Sequence, residues 1–339
     1  LRAKVIEGGE LKDHKGAAFP GVAVDLPAIT EKDIEDLAFG MKHGVDLVAA
    51  SFVSTAAHIR SIREHVEMDV PIIAKVESLV AYRNLDEILS VADGVMVARG
   101  DLGVDISLEK LPRIQKNILR RANEAGKITI TATEMLESMT SSARPTRAEV
   151  TDVANAVLDG SDAVMLSAET AVGKYPMRTV RAMDLICKEA EKNPEYGRGL
   201  TGLLQDDAAF ASAVALSAVR AADNLGIGTI VAFTESGSTA RLISKYRPKA
   251  RIVAFTPIER TYHNMALLAG TVPRHFMRLD STDEMIASAG VLLCEAGLAE
   301  PGEAVVMVAG VPPNERASTN LMKLHVIGSG TAGMSRADE

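Results

Sequence analysis

The sequence has no tryptophan, and aromatic residues of all kinds make up only 4% of its 339 residues. Stacking of bases on aromatic side chains, as single-strand binders use, is therefore not expected. Positive charge is also scarce, because 37 lysines and arginines stand against 45 aspartates and glutamates and leave a net charge of -8. We expect neither nucleic acid nor an anionic membrane as a partner, although local charge still allows small anionic substrates.

Only two cysteines are present, Cys187 and Cys294, and their spacing does not suit a metal site. Both fall in apolar, helix-like stretches, which predicts buried reduced thiols in a cytoplasmic protein. No apolar run approaches the roughly 20 residues of a membrane span, and no signal peptide is recognisable. The chain begins with Leu1 rather than methionine, so we expect that the N-terminal part of the protein is not in this sequence.

Apolar residues make up 47% of the chain, which is ample for large cores. Between residues 45 and 192, short strands rich in valine and isoleucine alternate with amphipathic helices, a pattern that predicts parallel βα units. Polar residues cluster where these strands end, as they do at the catalytic face of a (β/α)8 barrel. The predicted strands are 45–53, 70–76, 94–98, 128–133 and 163–167. Five strands cannot close an eight-stranded barrel.

A second, smaller region follows a predicted linker at 193–202, which contains a proline and three glycines. An alanine-rich helix is predicted at 208–225, and strands are predicted at 229–233, 251–255, 304–308 and 321–327. This pattern predicts an open, mostly parallel sheet. The fold class is therefore α/β, with five βα units of a (β/α)8 barrel and a smaller α/β domain.

Lys75 and Glu77 lie two positions apart at a predicted strand end, so their side chains share one face. Asp101 follows the next strand, and two carboxylates beside open space suit Mg²⁺. Lys75 would supply positive charge to a transferring phosphoryl group or a developing enolate. The competing interpretation, a structural ion pair between Lys75 and Glu77, is equally compatible with the spacing.

Two further strand ends carry candidate groups. The glycines of the run 98–103 would let backbone N–H groups approach a small carboxylate, although most such turns are only turns. Thr131 and Thr133 form another alternating pair, and Thr133 would reach the barrel mouth, where a hydroxyl can relay a proton. Packing is the commoner role for such a threonine.

Two loops precede predicted helices. Arg144 and Arg147 are either solvated loop charges or contacts to substrate phosphate or a neighbouring subunit. The loop 234–239 is rich in hydroxyls and opens a helix, so it could bind phosphate at the helix N-terminus. Glu235 is unfavourable there for a strongly anionic guest.

Taken together, these motifs resemble pyruvate kinase, in the same order and with the same spacing along the whole chain. The matching runs are Asp25–Ala28, Thr30–Asp33, Ala50–Val53, Ile73–Glu77, Val97–Gly103, Ala132–Met139, Arg144–Glu149, Asp152–Gly160 and Met165–Thr170.

The resemblance implies a glycolytic enzyme that moves the phosphoryl group of phosphoenolpyruvate to ADP and forms pyruvate and ATP. Glu77 and Asp101 match the ligands of the divalent metal, Mg²⁺ or Mn²⁺. Lys75 matches the lysine that stabilises the phosphoryl group and the enolate, and Thr133 matches the threonine implicated in protonating the enolate. Backbone N–H groups at Gly100 and Asp101 match the site of the pyruvate carboxylate.

Three more residues follow from the resemblance. Arg99 lies beside Gly100 in the matching run Val97–Gly103, and we expect it to be a catalytic residue. Ser51 matches a residue near the metal and potassium region, although the K⁺ ligands would lie outside this chain. Arg147 lies in the run that approaches the active site or its neighbour across a subunit interface, and the family suggests a homotetramer.

The resemblance also implies a domain organisation. Residues 1–20 would be the tail of the lid domain, 21–195 a partial barrel, and 196–339 a C-terminal regulatory domain. The loop residues Thr234, Ser236, Gly237, Ser238 and Thr239 match the family's effector phosphate loop. Glu235 stands where animal members activated by a sugar bisphosphate tend to have lysine, so a bacterial-type member with a sugar monophosphate or AMP as effector, or with none, is expected.

Two alternatives remain open at this point. The first is another Mg²⁺-dependent enzyme on the same barrel, a lyase or aldolase that handles a pyruvate enolate. The second is a catalytically inactive relative that acts as a binding partner.

Overall fold

The computed structural model describes residues 4–6, 8–10, 29–193, 196–197, 210–312 and 318–329. Most of the predicted lid-domain tail at 1–20 and most of the predicted linker at 193–202 lie outside these residues. Two separate five-stranded sheets form within the described parts. The fold therefore divides around two sheets, as the sequence predicts.

The first sheet is fully parallel, with its strands in chain order, β1 to β5. These strands are Val48–Ala50, Ile72–Val76, Gly94–Ala98, Ile128–Ala132 and Ala163–Met165. Chain-ordered parallel strands joined by helices are the arrangement of a barrel wall. Their carboxyl ends therefore meet at one edge, which positions the polar residues that follow them.

Nine α-helices accompany this sheet in the described part of the chain. They are α1 Glu31–Lys42, α2 Ala56–Arg63, α3 Leu79–Arg83, α4 Leu85–Val91, α5 Arg99–Asp105, α6 Leu111–Glu124, α7 Arg147–Leu158, α8 Ala168–Ala171 and α9 Pro176–Glu191.

Helix α1 begins with a capping box formed by Thr30 and Asp33. Thr30 Oγ1 accepts a hydrogen bond from the Asp33 N–H, and Asp33 accepts one from the Thr30 N–H, which satisfies two free donors of the first turn. Gly44 follows the helix with a φ of 69°, a conformation that suits glycine.

The second sheet has the order β10, β9, β6, β7, β8, and only β10 is antiparallel to its neighbour. Its elements are α10 Phe210–Leu225, β6 Thr229–Phe233, α11 Ser238–Lys245, β7 Arg251–Thr256, α12 Glu259–Met265, β8 Thr271–His275, α13 Thr282–Glu295, β9 Ala304–Ala309 and β10 Leu321–Val326. The prediction of a mostly parallel sheet is confirmed. Strand β8 was not expected, because Pro273 breaks its pattern, but proline is tolerated at the sheet edge, where β8 lies.

Several predicted boundaries in the barrel part differ from the structure. The first strand is limited to three residues rather than 45–53, and a separate short helix, α3, begins after Ser78, whose hydroxyl caps it by accepting from the Ala81 N–H. The run 98–103, predicted as a glycine turn, is instead the start of helix α5. Glycine does not forbid a helix; it only weakens one.

The two sheets share a buried apolar cluster that includes Ile73 and Ile130 of the barrel wall and Ile230 and Ile252 of the second sheet. Among the described residues, no helix is both long enough and apolar enough to cross a membrane.

Candidate active site

Lys75 is the centre of the group at the end of β2. Its ammonium donates a hydrogen bond to Ser51 Oγ at 2.7 Å and lies 2.6 Å from Oε1 of Glu77. The alternation of β2 places Lys75 and Glu77 on one face, and Ser51 follows the neighbouring strand β1. The structure therefore brings together three of the predicted residues.

Glu77 is nearly buried, with 3% of its side chain exposed. Its Oε2 accepts a hydrogen bond from the Phe52 N–H at 2.6 Å, whereas the buried Oε1 accepts none. Phe52 has a φ of 55°, a conformation that is strained for a bulky residue. Carboxylate oxygens are the ligands that hard metal ions such as Mg²⁺ prefer, so the Glu77 carboxylate is suited to a metal site.

Asp101 is exposed in the first turn of α5, directly after β3. Because β2 and β3 are parallel neighbours, Asp101 and Glu77 follow adjacent strand ends. Nowhere in the described ranges do three or more His, Cys, Asp or Glu side chains form a metal cluster. Two carboxylates fit Mg²⁺, which usually keeps several waters or substrate oxygens as ligands.

Thr133 and Gly100 are brought into direct contact. The Gly100 N–H donates to Thr133 Oγ1 at 2.8 Å, and this hydroxyl donates to the Ala132 carbonyl at 2.6 Å. The Gly100 N–H predicted to meet a substrate carboxylate thus bonds to Thr133 in this structure. Thr131, by contrast, is buried and shares a hydrogen bond with Ser161 Oγ at 2.7 Å, so it packs below the strand end.

Arg99 is buried, with 7% exposure, and its guanidinium points into the protein interior. It donates to the carbonyls of Thr133 and Glu134 and pairs with Asp152 of α7. Sequence reasoning missed Asp152, although it lies in the run that carries the resemblance. The pairing joins residues 53 positions apart, and no local pattern signals it.

Arg147 is exposed at the first position of α7. Thr146 and Glu149, which lie on either side of Arg147 in the sequence, form a capping box in which each side chain accepts a hydrogen bond from the other residue's backbone N–H. Glu149 also accepts from the N–H of Ser138 at 2.7 Å and from its hydroxyl at 2.6 Å. The helix start is therefore tied to the segment that follows Thr133.

Glu149→Gln should lower the free energy of unfolding at pH 7 by about 1–2 kcal/mol, because it weakens a cap and several charge-assisted bonds. Burial opposes ionisation of Glu149, but hydrogen bonds from Ser138 and Thr146 outweigh it and lower the pKa of the carboxyl. A lowered folded-state pKa means that the contribution is present above the unfolded value of about 4.3 and is lost as pH falls through the folded value.

Urea unfolding at several pH values tests this. The difference between wild type and Glu149→Gln should shrink as pH falls below about 4. Glu189→Gln, at an exposed pair with Lys192, is the matched control and should change stability little. A difference that stays constant with pH would contradict the assignment.

The loop before α11 is organised by its own hydroxyls. The Gly237 N–H donates to Thr234 Oγ1 at 2.9 Å, and Ser236 Oγ donates to Ser238 Oγ at 3.0 Å. Gly237 has a φ of 80°. Thr239 is buried and bonds to Thr319 at 2.8 Å. Thr239 is one of the five predicted effector residues, and it supports the loop from the buried side.

The charge of Glu235 in this loop is partly offset. Its Oε1 lies 3.1 Å from Nη2 of Arg278, and its carbonyl accepts from Thr261. The ion pair is half exposed, so a phosphate could compete for Arg278. No sequence pattern singled out this arginine.

Comparison with known proteins identifies the family to which the chain is similar. Residues 1–180 match the family model described as the pyruvate kinase barrel domain, and residues 212–325 match the pyruvate kinase alpha/beta domain. Curated pyruvate kinases from Clostridium perfringens and Staphylococcus aureus strain MRSA252 are each 45% identical to the chain. The matches cover 96% and 97% of this chain, and 70% and 57% of those proteins.

A crystal structure of a pyruvate kinase from Cryptosporidium parvum superposes with a TM-score of 0.85 at 39% identity. It covers 91% of this chain, which in turn covers 64% of that protein. The chain thus spans between 57% and 70% of the length of these relatives. The matches give no support to the lyase or the non-enzymatic alternative. Because the two family models match the parts of the chain that hold its two sheets, the chain belongs to the pyruvate kinase family.

Proposed function

We propose that the protein containing this chain transfers the phosphoryl group of phosphoenolpyruvate to ADP, giving pyruvate and ATP. The observation that carries the proposal is the placement of Lys75 between Ser51 and Glu77 at a strand end, at 2.7 and 2.6 Å. Phosphoryl transfer depends mainly on positioning and charge neutralisation, and this group supplies both.

Lys75 would stabilise negative charge on the transferring phosphoryl group and then on the enolate oxygen. Glu77 and Asp101 would hold Mg²⁺ or Mn²⁺, which neutralises phosphoryl oxygens when bound. The bond from phosphorus to the enol oxygen breaks as a bond to the terminal oxygen of ADP forms. Ser51 keeps the Lys75 ammonium at the mouth of the site.

The enolate left by the transfer must gain a proton on carbon. Thr133 would relay that proton through water, because its hydroxyl lies at the strand end beside α5. The backbone N–H groups of Gly100 and Asp101 would bind the carboxylate, which requires Gly100 to exchange its bond to Thr133 for one to the substrate.

The finer assignments belong to the same proposal. They are a dependence on K⁺, a homotetramer in which Arg147 contacts a neighbouring subunit or substrate phosphate, a cytoplasmic location, and the division into lid tail 1–20, barrel 21–195 and regulatory domain 196–339.

A coupled assay tests the activity. The full-length gene product containing this chain is mixed with phosphoenolpyruvate, ADP and Mg²⁺, and pyruvate and ATP are measured separately. We expect equal amounts of both, and no pyruvate without ADP. Pyruvate formed with inorganic phosphate in place of ATP would be hydrolysis and would contradict the proposal, and no product from a folded protein would favour the lyase or the binding partner.

The loop formed by Thr234, Ser236, Gly237, Ser238 and Thr239 would bind the phosphate of an effector. Glu235 and its partner Arg278 support a monophosphate rather than a bisphosphate, because the carboxylate disfavours additional negative charge nearby.

Titration with ribose 5-phosphate, glucose 6-phosphate, AMP and fructose bisphosphate tests this preference. We expect a monophosphate to lower the half-saturating phosphoenolpyruvate concentration severalfold, and Ser238→Asp to remove the effect by repelling the phosphate. Strong activation by the bisphosphate alone would contradict the preference. Ser244→Ala, at the far end of α11, is the control for nonspecific damage.

A further inference from the structure

The turn after β4 is strained in two successive residues. Thr133 has a φ of 66° and Glu134 a φ of 54°. Left-handed backbone is unfavourable for residues other than glycine, most of all for β-branched ones such as threonine. Such a conformation persists only where surrounding groups hold it, and it is concentrated at functional sites.

Arg99 is the group that holds this turn. Its Nη2 donates to the Thr133 carbonyl at 2.7 Å and to the Glu134 carbonyl at 2.9 Å, and its Nε donates to the Thr133 carbonyl at 3.1 Å. The remaining Nη1 lies 2.5 Å from Asp152 Oδ2. A planar guanidinium can make all of these bonds at once, and a lysine cannot.

The next residue along the chain also contacts the Thr133 side chain before substrate binds. The Gly100 N–H donates to Thr133 Oγ1, so in this structure consecutive residues of α5 form hydrogen bonds to the backbone and to the hydroxyl of one threonine, and Arg99 keeps the backbone contact when Gly100 turns to the substrate. Asp152, with 37% of its side chain exposed, offsets the buried charge of Arg99 and orients it from α7.

We propose that Arg99 and Asp152 are positioning residues that act on the reaction through Thr133. They fix the left-handed turn that aims the Thr133 hydroxyl, and Arg99 itself does not touch the substrate. This inference rests on the proposed function of Thr133 as proton relay. It predicts that their loss impairs protonation of the enolate more than binding of phosphoenolpyruvate.

Steady-state kinetics and hydrogen exchange test the inference on the full-length gene product. Arg99→Met should lower kcat about 100-fold, because displacing a reacting group by about 1 Å can cost that much. The KM for phosphoenolpyruvate should change less than about threefold. Exchange of the C3 hydrogens of pyruvate with D₂O, followed by NMR with ATP and Mg²⁺, should fall in parallel with kcat.

Two further variants keep the test decisive if Arg99→Met does not fold. Arg99→Lys should recover little activity, because it cannot bridge two carbonyls and Asp152. Asp152→Asn, which keeps an acceptor, should lower kcat about tenfold. Size-exclusion chromatography must show an unchanged oligomeric state for each.

Arg63 provides a matched control at the opposite end of the strands. It likewise donates to a backbone carbonyl, that of Val70 at 2.6 Å, and pairs with Asp93 at 2.5 Å. Arg63→Met should lower thermal stability without a selective loss of C3 exchange. If all Arg99 and Asp152 variants that fold exchange and turn over like wild type, the positioning inference fails. If wild type itself forms no pyruvate and ATP, the proposed function fails first.

Discussion

Replacing Lys75 with methionine should lower kcat for pyruvate formation by about 10³-fold, because it removes the positive charge aimed at the developing enolate. Methionine keeps most of the aliphatic stem, so packing around β2 should change little. The Lys75 ammonium lies within 2.7 Å of both Ser51 and Glu77, and no other lysine contacts either side chain in the described residues. The coupled assay measures the effect.

The same substitution separates the catalytic interpretation from a structural ion pair. If the pair with Glu77 only stabilised the fold, Lys75→Met would lower the melting temperature and leave the kcat of the folded fraction intact. Lys116→Met, at the ion pair with Asp159 between α6 and α7, is the control for loss of a barrel-side charge pair. Turnover within a factor of ten of wild type would contradict the role of Lys75.

Asp162→Ala should destabilise the protein by about 3–5 kcal/mol, because it leaves two buried cations without their partner. The Asp162 side chain is fully buried. Its Oδ2 lies 2.5 Å from Nζ of Lys245, and its Oδ1 lies 2.8 Å from Nη2 of Arg247. Burial opposes its ionisation, but the two cations outweigh this and lower the pKa of Asp162. Burial also lowers the pKa of Lys245 to about 8, although Asp162 acts in the opposite direction.

This cluster joins the two sheets, since Asp162 precedes β5 and Lys245 ends α11. Thermal and urea unfolding measure the loss, and limited proteolysis reports whether the domains separate. Asp184→Ala, at an exposed pair with Lys188, should change stability by less than about 1 kcal/mol. Equal effects of the two substitutions would contradict a buried interdomain role for Asp162.

The strand-end residues could be predicted because their signals are local. Alternation along β2 puts Lys75 and Glu77 on one face, and parallel strands bring their carboxyl ends to one edge. The capping box at Thr30 is likewise written into four consecutive residues. For Lys75 and Glu77, the placement on one face that alternation predicts is found in the structure.

The long-range polar contacts could not be predicted in the same way. Arg99 forms an ion pair with Asp152, and 53 positions separate the two in the sequence. Asp162 forms an ion pair with Lys245 across a separation of 83 positions. Each residue alone resembles an ordinary charge on a helix or loop, and only the packed fold reveals its partner. The helical start of α5 was missed for a related reason, because its glycines favour a turn locally while tertiary contacts hold the helix.

The most direct test of the central claim is to locate Mn²⁺ in crystals of the full-length gene product by anomalous scattering. We expect one strong peak within coordination distance of the carboxylates of Glu77 and Asp101, and its loss in Glu77→Gln. This result would place the metal beside Lys75, where the proposed transfer needs it. A peak elsewhere, or a peak that survives Glu77→Gln unchanged, would contradict the account.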